Sequence, residues 1–248
     1  MFVFSNTYLI GIISNMSIKP KIELSLIITI GEIDKNVMTR MHKIFPNVIH
    51  EPIPFVDAQS EEVWQEHIRN NGSLAGIGVG AAGCLIAHRL AWQLLSKSKY
   101  EYALILESDA MFAFRGERNF RSAVRYFKMH KLNILHLGNH EAKDVCNIKN
   151  TWKYITLRRV FFQLYFASVG KFAPLNVVRN KFYYSTHAYL ISQVFADELL
   201  KNKANFLLPI DELLSGISST KKNKVASVRS KILIQNKKNL SQVSRLGR

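Results

Sequence analysis

Cysteine, proline and acidic side chains are all scarce in this chain. Only two cysteines, Cys84 and Cys146, occur in 248 residues, too few for a disulfide framework and in keeping with a reducing compartment. There is no CxxC pair, no paired-histidine spacing and no Walker loop, so zinc-finger and P-loop readings fail. With 6 prolines and 12 glycines the chain is neither collagen-like nor of low complexity, and no internal repeat of fixed period is visible. Long apolar runs are missing as well. The stretch Met1–Ile13 is interrupted by Ser5, Asn6 and Thr7 and falls short of the roughly 20 residues that span a bilayer. It also lacks a basic region ahead of its apolar part, so a secretory signal is not expected. Residues 1–20 read as a loosely structured extension or a weak membrane-surface anchor, and the chain as a soluble or peripheral cytoplasmic protein.

What is present is apolar bulk and positive charge. Hydrophobic residues make up 48% of the chain, enough to build a core and to exclude long disorder. Thirty-four Lys and Arg against 18 Asp and Glu leave a formal charge of +16, which attracts polyanions: phosphorylated small molecules, anionic lipid headgroups or nucleic acid. Nine basic residues and no acidic ones lie between Lys221 and Arg248. Val225, Val228, Ile232, Leu233 and Ile234 interleave with them, so this segment is expected to be partly packed on the domain rather than a free tail.

The periodicity predicts an α/β domain over 21–248. Ile22–Ile30 and Tyr102–Leu106 are continuous apolar runs, as in strands covered on both faces. Val48–Phe55, with Pro52 and Pro54, reads as a short edge strand. Asn133–Leu137 and Thr186–Ile191 are further strand candidates. Helices are predicted over 34–44 with Asp34 as N-cap, around 60–69, over 81–95, over 118–130 and over 193–200. Residues 160–169 are left open between strand and helix. Strand and helix signals alternate, which argues for one domain with a mixed, largely parallel sheet flanked by helices.

The most informative chemistry sits where the run Tyr102–Leu106 ends in Glu107-Ser108-Asp109. Ligands of open α/β sheets bind at the carboxyl edge of the strands. If the strand stays extended, positions i and i+2 share a side, and both acids can face one hard cation such as magnesium or manganese. A solvated strand-to-loop turn with two unpaired acids is the alternative. Upstream, Gly83-Cys84-Leu85-Ile86-Ala87-His88-Arg89 opens a helix. There Cys84 reads as a small buried side chain, His88 as a core residue, and Arg89 as a phosphate contact or a surface ion pair.

Taken in order, Gly83-Cys84-x-x-x-His88, Trp92, Leu106-Glu107-Ser108-Asp109, Leu135-His136-Leu137-Gly138, Thr186-His187-Ala188-Tyr189-Leu190-Ile191-Ser192, Pro209-Ile210-Asp211 and Ile234-Gln235 with Ser241 resemble glycosyltransferase family 25. That family includes bacterial enzymes of lipooligosaccharide biosynthesis. Two departures stand out: Ala81-Ala82 replace the Glu-Ile that usually precedes Gly-Cys, and Ser108 replaces the middle acid of Glu-Asp-Asp.

The resemblance implies a GT-A-type, Rossmann-like fold that binds a nucleotide-sugar. It implies Mn2+ or Mg2+ on Glu107 and Asp109, with Ser108, His88 and, more weakly, Arg89 and Arg115 on the donor side. It further implies an inverting transfer in which a carboxylate takes the acceptor proton. Asp211 is the candidate base, on the expectation that a Pro-bounded strand end holds it. Its alternative role is a helix N-cap, and Glu212 is the neighbour that could substitute. His187 and His140 are candidate acceptor contacts or further ligands, and Tyr189 reads as packed. The implied partners are UDP-galactose or UDP-glucose and a lipid-linked oligosaccharide acceptor, met at an anionic membrane surface on the inner face of the bacterial inner membrane. Nucleic acid is not an expected partner, because no recognition module or regular aromatic spacing accompanies the basic stretches. A nucleic-acid-binding protein, a metal-dependent phosphohydrolase and an inactive family member remain the rival readings.

Overall fold

The computed structural model describes residues 22–29, 35–54, 77, 79–113, 116–138, 177–179, 186–201, 208–218, 223–228 and 232–235. In chain order these form β1 (Leu24–Thr29), α1 (Lys35–Ile44), β2 (Ile49–Pro54), α2 (Val79–Lys97), β3 (Tyr102–Glu107), β4 (Ala110–Phe112), α3 (Gly116–Met129), β5 (Ile134–His136), β6 (Val177–Arg179), β7 (Ala188–Ser192), α4 (Gln193–Lys201), α5 (Ile210–Ser218), β8 (Val225–Val228) and β9 (Leu233–Gln235). The expected helix at 60–69, the undecided stretch 160–169 and the N-cap Asp34 lie outside the described residues.

Seven strands make one sheet in the order β2-β1-β3-β7-β5-β8-β6, and β4 pairs with β9 in a separate two-stranded ribbon. The result is a mixed α/β sheet flanked by helices. Parallel pairing holds β1 to β2, β1 to β3 and β5 to β8, while β3–β7, β5–β7 and β6–β8 are antiparallel. The prolines of β2 sit on an edge strand, where a missing N–H breaks no ladder.

Both faces of the sheet are buried, which is why its central strands lack polar alternation. Leu24, Leu26 and Ile28 of β1, Ala103 and Ile105 of β3, and Tyr189 and Ile191 of β7 pack with Leu85, Trp92 and Leu95 of α2, Phe195 of α4 and Leu213 of α5. The alternate positions Tyr102, Leu104 and Leu106 of β3 and Ala188 and Leu190 of β7 pack with Met41 of α1, Phe120 and Phe127 of α3, and Phe112 and Leu233 of the small ribbon. Val225, Val228, Ile232 and Leu233 are buried, so the described part of the basic 221–248 segment is an integral layer of the domain. Among the described residues no helix is long and apolar enough to cross a membrane.

Helix α3 ends in a Schellman cap: Leu132 N–H donates to the Phe127 carbonyl and Lys131 N–H to the Lys128 carbonyl, both at 3.1 Å. The residue at the left-handed turn is Lys131, with φ 47°, where a Cβ costs roughly 1–2 kcal/mol. Gly116, at the start of the same helix, is forced by contact, since a Cβ there would lie 2.3 Å from the Ile232 carbonyl oxygen.

Two stability changes of opposite sign follow. Lys131→Gly raises unfolding free energy by about 1 kcal/mol by removing the left-handed strain. Gly116→Ala lowers it by about 1–3 kcal/mol, because a backbone carbonyl cannot swing aside as a side chain can. Urea unfolding of the two variants beside the parent checks both, and an unchanged midpoint for Gly116→Ala contradicts the docking of the 232–235 segment.

Candidate functional site

Glu107 is the last residue of β3, and the chain turns immediately through Ser108 and Asp109 into β4. The expectation that an extended strand carries both acids to one side is thereby corrected. The strand does not reach Asp109, so the turn and not strand alternation sets the relation of the two carboxylates. The Ser108 N–H donates to the Ile28 carbonyl at 2.8 Å, and the Glu107 N–H to the His187 carbonyl at 2.9 Å. This pins the turn to β1 on one side and to the entry of β7 on the other.

The Glu107 side chain is only 17% exposed, and three groups face it. The Thr186 hydroxyl donates to its Oε1 at 2.9 Å. His88 Nε2 lies 3.8 Å from the same oxygen, at ion-pair range and beyond a hydrogen bond. His187 adds a third favourable electrostatic influence. Burial is the largest single influence on this carboxyl and pushes its pKa up. His88, His187 and Thr186 together outweigh it and hold the pKa below the usual glutamate value.

His88 projects from α2 and is fully buried. Its Nδ1 shares a 2.8 Å hydrogen bond with the Tyr189 hydroxyl, to which the Trp92 indole N–H also donates at 3.0 Å. Cys84, His88 and Trp92 are spaced i, i+4, i+8, so one helix face delivers all three. The Cys84 sulfur, His88 and the Glu107 carboxylate have ligand atoms within 4.8 Å of one another. Burial first, then the charges of Glu107 and Asp211, push the Cys84 thiol pKa well up, with Asp109 adding to them. The thiol is therefore protonated at neutral pH, which rules out a thiolate nucleophile in the free protein. Burial likewise pushes the Tyr189 phenol up, assisted by Cys84, Glu107 and Asp211 and opposed by Trp92.

Asp211 occupies the first turn of α5, whose first helical bond runs from Leu213 N–H to the Pro209 carbonyl at 2.9 Å. The expected strand end after Pro209 is corrected to a helix start. Asp211 is inside that start rather than its N-cap, and the positive end of the helix stabilises its carboxylate. Its charge reaches Cys84 and Tyr189, whereas Glu212, the next residue, is exposed.

Glu107 thus faces Cys84 and His88 of α2, and the charges of Asp109 and Asp211 act on the same thiol. Ser108 is buried within the turn. Arg89 follows His88 by one residue and so points about 100° away around the helix, with burial lowering its guanidinium pKa. His187 faces Glu107 and, through Nε2, donates to the Leu233 carbonyl at 3.2 Å. Gly138 makes room for that imidazole, since a Cβ on it would lie 2.0 Å from Nε2. Arg115 and His140 lie outside the described residues. Sequence reasoning missed the parts played by Cys84, Tyr189, Trp92 and Thr186. The i, i+4, i+8 spacing on α2 was the available signal.

An acid pair at the carboxyl edge of a mixed α/β sheet, with a third carboxylate in the first turn of α5, lies at the edge where open α/β enzymes bind ligands. The family model described as glycosyltransferase family 25 (LPS biosynthesis protein) matches residues 34–214, well over half of the chain, and includes α1 through most of α5. The chain belongs to this family and is a glycosyltransferase, acting between a sugar donor and a glycan acceptor. No curated protein gives a match to the chain.

The buried triad makes two outcomes measurable. Tyr189→Phe strips a shared hydrogen-bond partner from Trp92 and His88 and lowers stability by about 1–3 kcal/mol, read from urea unfolding. Because the Glu107 pKa is depressed on folding, its contribution is complete above the ordinary glutamate range and fades as pH falls through the lowered value. Unfolding midpoints measured down the acid limb are accordingly less pH-dependent in Glu107→Gln than in the parent. A steeper limb in that variant contradicts the depressed pKa.

Proposed function

We propose that this glycosyltransferase is an inverting, divalent-cation-dependent hexosyltransferase. It moves galactose, or failing that glucose, from a UDP-sugar to a lipooligosaccharide or lipopolysaccharide acceptor. The observation that carries this reading is the pair of carboxylates, Glu107 and Asp109, at the carboxyl edge of β3 and in the turn that follows it, with Asp211 in the first turn of α5. Such a concentration of negative charge suits a cation, and its carboxylate oxygens suit Mn2+ or Mg2+. Glu107 and Asp109 are the residues that would hold the ion. When bound, it would supply neutralisation of the charge that develops on the departing nucleoside diphosphate.

The remaining chemistry falls to the chain's own groups. Asp211 accepts the proton of the acceptor hydroxyl as that oxygen's electron pair forms the new bond to the anomeric carbon. The pair of the old glycosidic bond leaves with the diphosphate. Asp211 is suited to this because it is partly buried in the first turn of α5, whereas Glu212 faces solvent. His88, His187 and Thr186 keep Glu107 ionised and fixed in direction. The excess positive charge favours an anionic inner-leaflet surface where a lipid-linked acceptor is presented.

Thermal-shift and transfer assays test the reading together. UDP-sugar with manganese stabilises the parent protein, and EDTA or Asp109→Asn abolishes that shift. Asp211→Asn lowers kcat by about 10²–10⁴-fold with donor binding retained, a larger loss than Glu212→Gln produces. Full transfer in chelator, or in Asp109→Asn, contradicts the cation's role. Full transfer in Asp211→Asn moves the base elsewhere.

A further inference from the structure

The geometry points to a second kind of cation site in this protein, in which Cys84, His88 and Glu107 bind a thiophilic divalent ion of the zinc type. This goes beyond the sugar-transfer reading and does not depend on it. A donor-site cation of the magnesium class has no use for a thiol or an imidazole, yet these two side chains converge on Glu107 with ligand atoms within 4.8 Å of one another.

Four observations support it. First, one helix face presents Cys84 and His88 at i and i+4, and β3 presents the carboxylate opposite, so the three donors come from rigid elements. Second, the spacing is right in kind. Ligands on a tetrahedral zinc stand about 3.3–3.8 Å apart, given bond lengths near 2.0–2.3 Å. The His88 Nε2 to Glu107 Oε1 separation is 3.8 Å, too long for a hydrogen bond and a few tenths from a shared ion. Third, His88 Nε2 is fully buried and has no hydrogen-bond partner among the described residues. A buried ring nitrogen aimed at a thiol and a carboxylate without a bond is a costly arrangement, and a metal removes the cost. Fourth, the opposite ring nitrogen is already held by the Tyr189 hydroxyl at 2.8 Å. Ligating histidines characteristically have their second nitrogen fixed in this way.

Binding replaces the Cys84 S–H bond with a sulfur–metal bond and releases the proton to solvent. The thiol is protonated in the free protein because of burial and the surrounding acids, and a divalent ion reverses that balance locally. Three protein ligands leave a fourth position open, as in zinc sites that keep a water or bind a small ligand. A carboxylate has two oxygens, so engagement of Oε1 does not in itself remove Glu107 from the pair with Asp109. The absence of a CxxC or paired-histidine pattern excluded zinc when the chain was read as a string. The third ligand comes from a different element, 19 positions after His88 in the numbering.

Cobalt(II), a spectroscopic stand-in for zinc, tests the site on the reduced, metal-stripped full chain without any nucleotide. One equivalent is expected to give the visible spectrum of a tetrahedral site together with a near-ultraviolet thiolate-to-cobalt charge-transfer band, and zinc is expected to displace both. The band is lost in Cys84→Ser and in Cys84→Ala, and it is kept in Cys146→Ser and in Asp109→Asn. Tyr189→Phe retains it with affinity weakened by roughly 10–100-fold. Far-ultraviolet circular dichroism confirms that each variant is folded, and the two Cys84 replacements guard against misfolding of either one. No tetrahedral spectrum in the parent overturns the proposal, as does a band that survives both Cys84 replacements or that requires Asp109. Sugar transfer that fails while the cobalt band persists removes the transfer reading and leaves this one standing.

Discussion

Keeping Glu107 ionised in a nearly dry place is the constraint around which this end of the domain is organised. Burial alone raises a carboxyl pKa and neutralises it, and the opposing groups have to arrive from elsewhere in the chain. His88 comes from α2, and Thr186 and His187 from the residues that lead into β7. The antiparallel placement of β7 beside β3 makes this possible. With Leu106 opposite Ala188, the entry end of β7 lies beside the exit end of β3, so residues 186–187 meet residue 107. A parallel neighbour in the same position would bring its far end there instead.

The groups behind the acids are themselves hydrogen-bonded to one another. Tyr189 points from the sheet into the layer between β7 and α2, where its hydroxyl joins Trp92 and His88. Polar networks of this sort specify one packing of a core, because any shift of the helix leaves buried donors without acceptors. Ser96 and Asp197 also share a hydrogen bond, and Gln193 donates to carbonyls at the end of α2. α2 is thus tied to α4 at one end and faces the acids at the other. The helix that carries Cys84 and His88 has little freedom to slide.

The sequence made the central strands legible because both their faces are covered and their apolar runs are uninterrupted. It made α2, α3 and α4 legible to within a few residues. Glu107 and Asp109 were visible as the acids that end a buried strand, and the turn between them, which Ser108 and Asp109 favour, stood only as the alternative to an extended pair. Asp211 was visible as an acid after a proline. The helix it opens was the alternative to a strand end, because a proline's fixed φ suits a helix start as readily as its ring ends a strand. β4, β6 and β9 are three residues each, too short for a period of two to register. Cys84 and Tyr189 were read as packing because burial is the usual fate of both residue types. What distinguishes them is a set of contacts between residues about a hundred positions apart, which no local pattern encodes.

The His187 imidazole rests on the Leu233 carbonyl, and Gln235 pairs with Ala110 directly after Asp109. The last described strand therefore braces the floor beneath the acids from a segment more than a hundred residues later in the chain. On a ribosome, the helices and strands up to α5 emerge earlier and can begin to pack, but this brace arrives only when the segment 232–235 has cleared the exit tunnel. A nascent chain consequently holds its acidic residues without their final support until that segment has emerged. Truncation in that region is felt at a centre more than a hundred residues upstream.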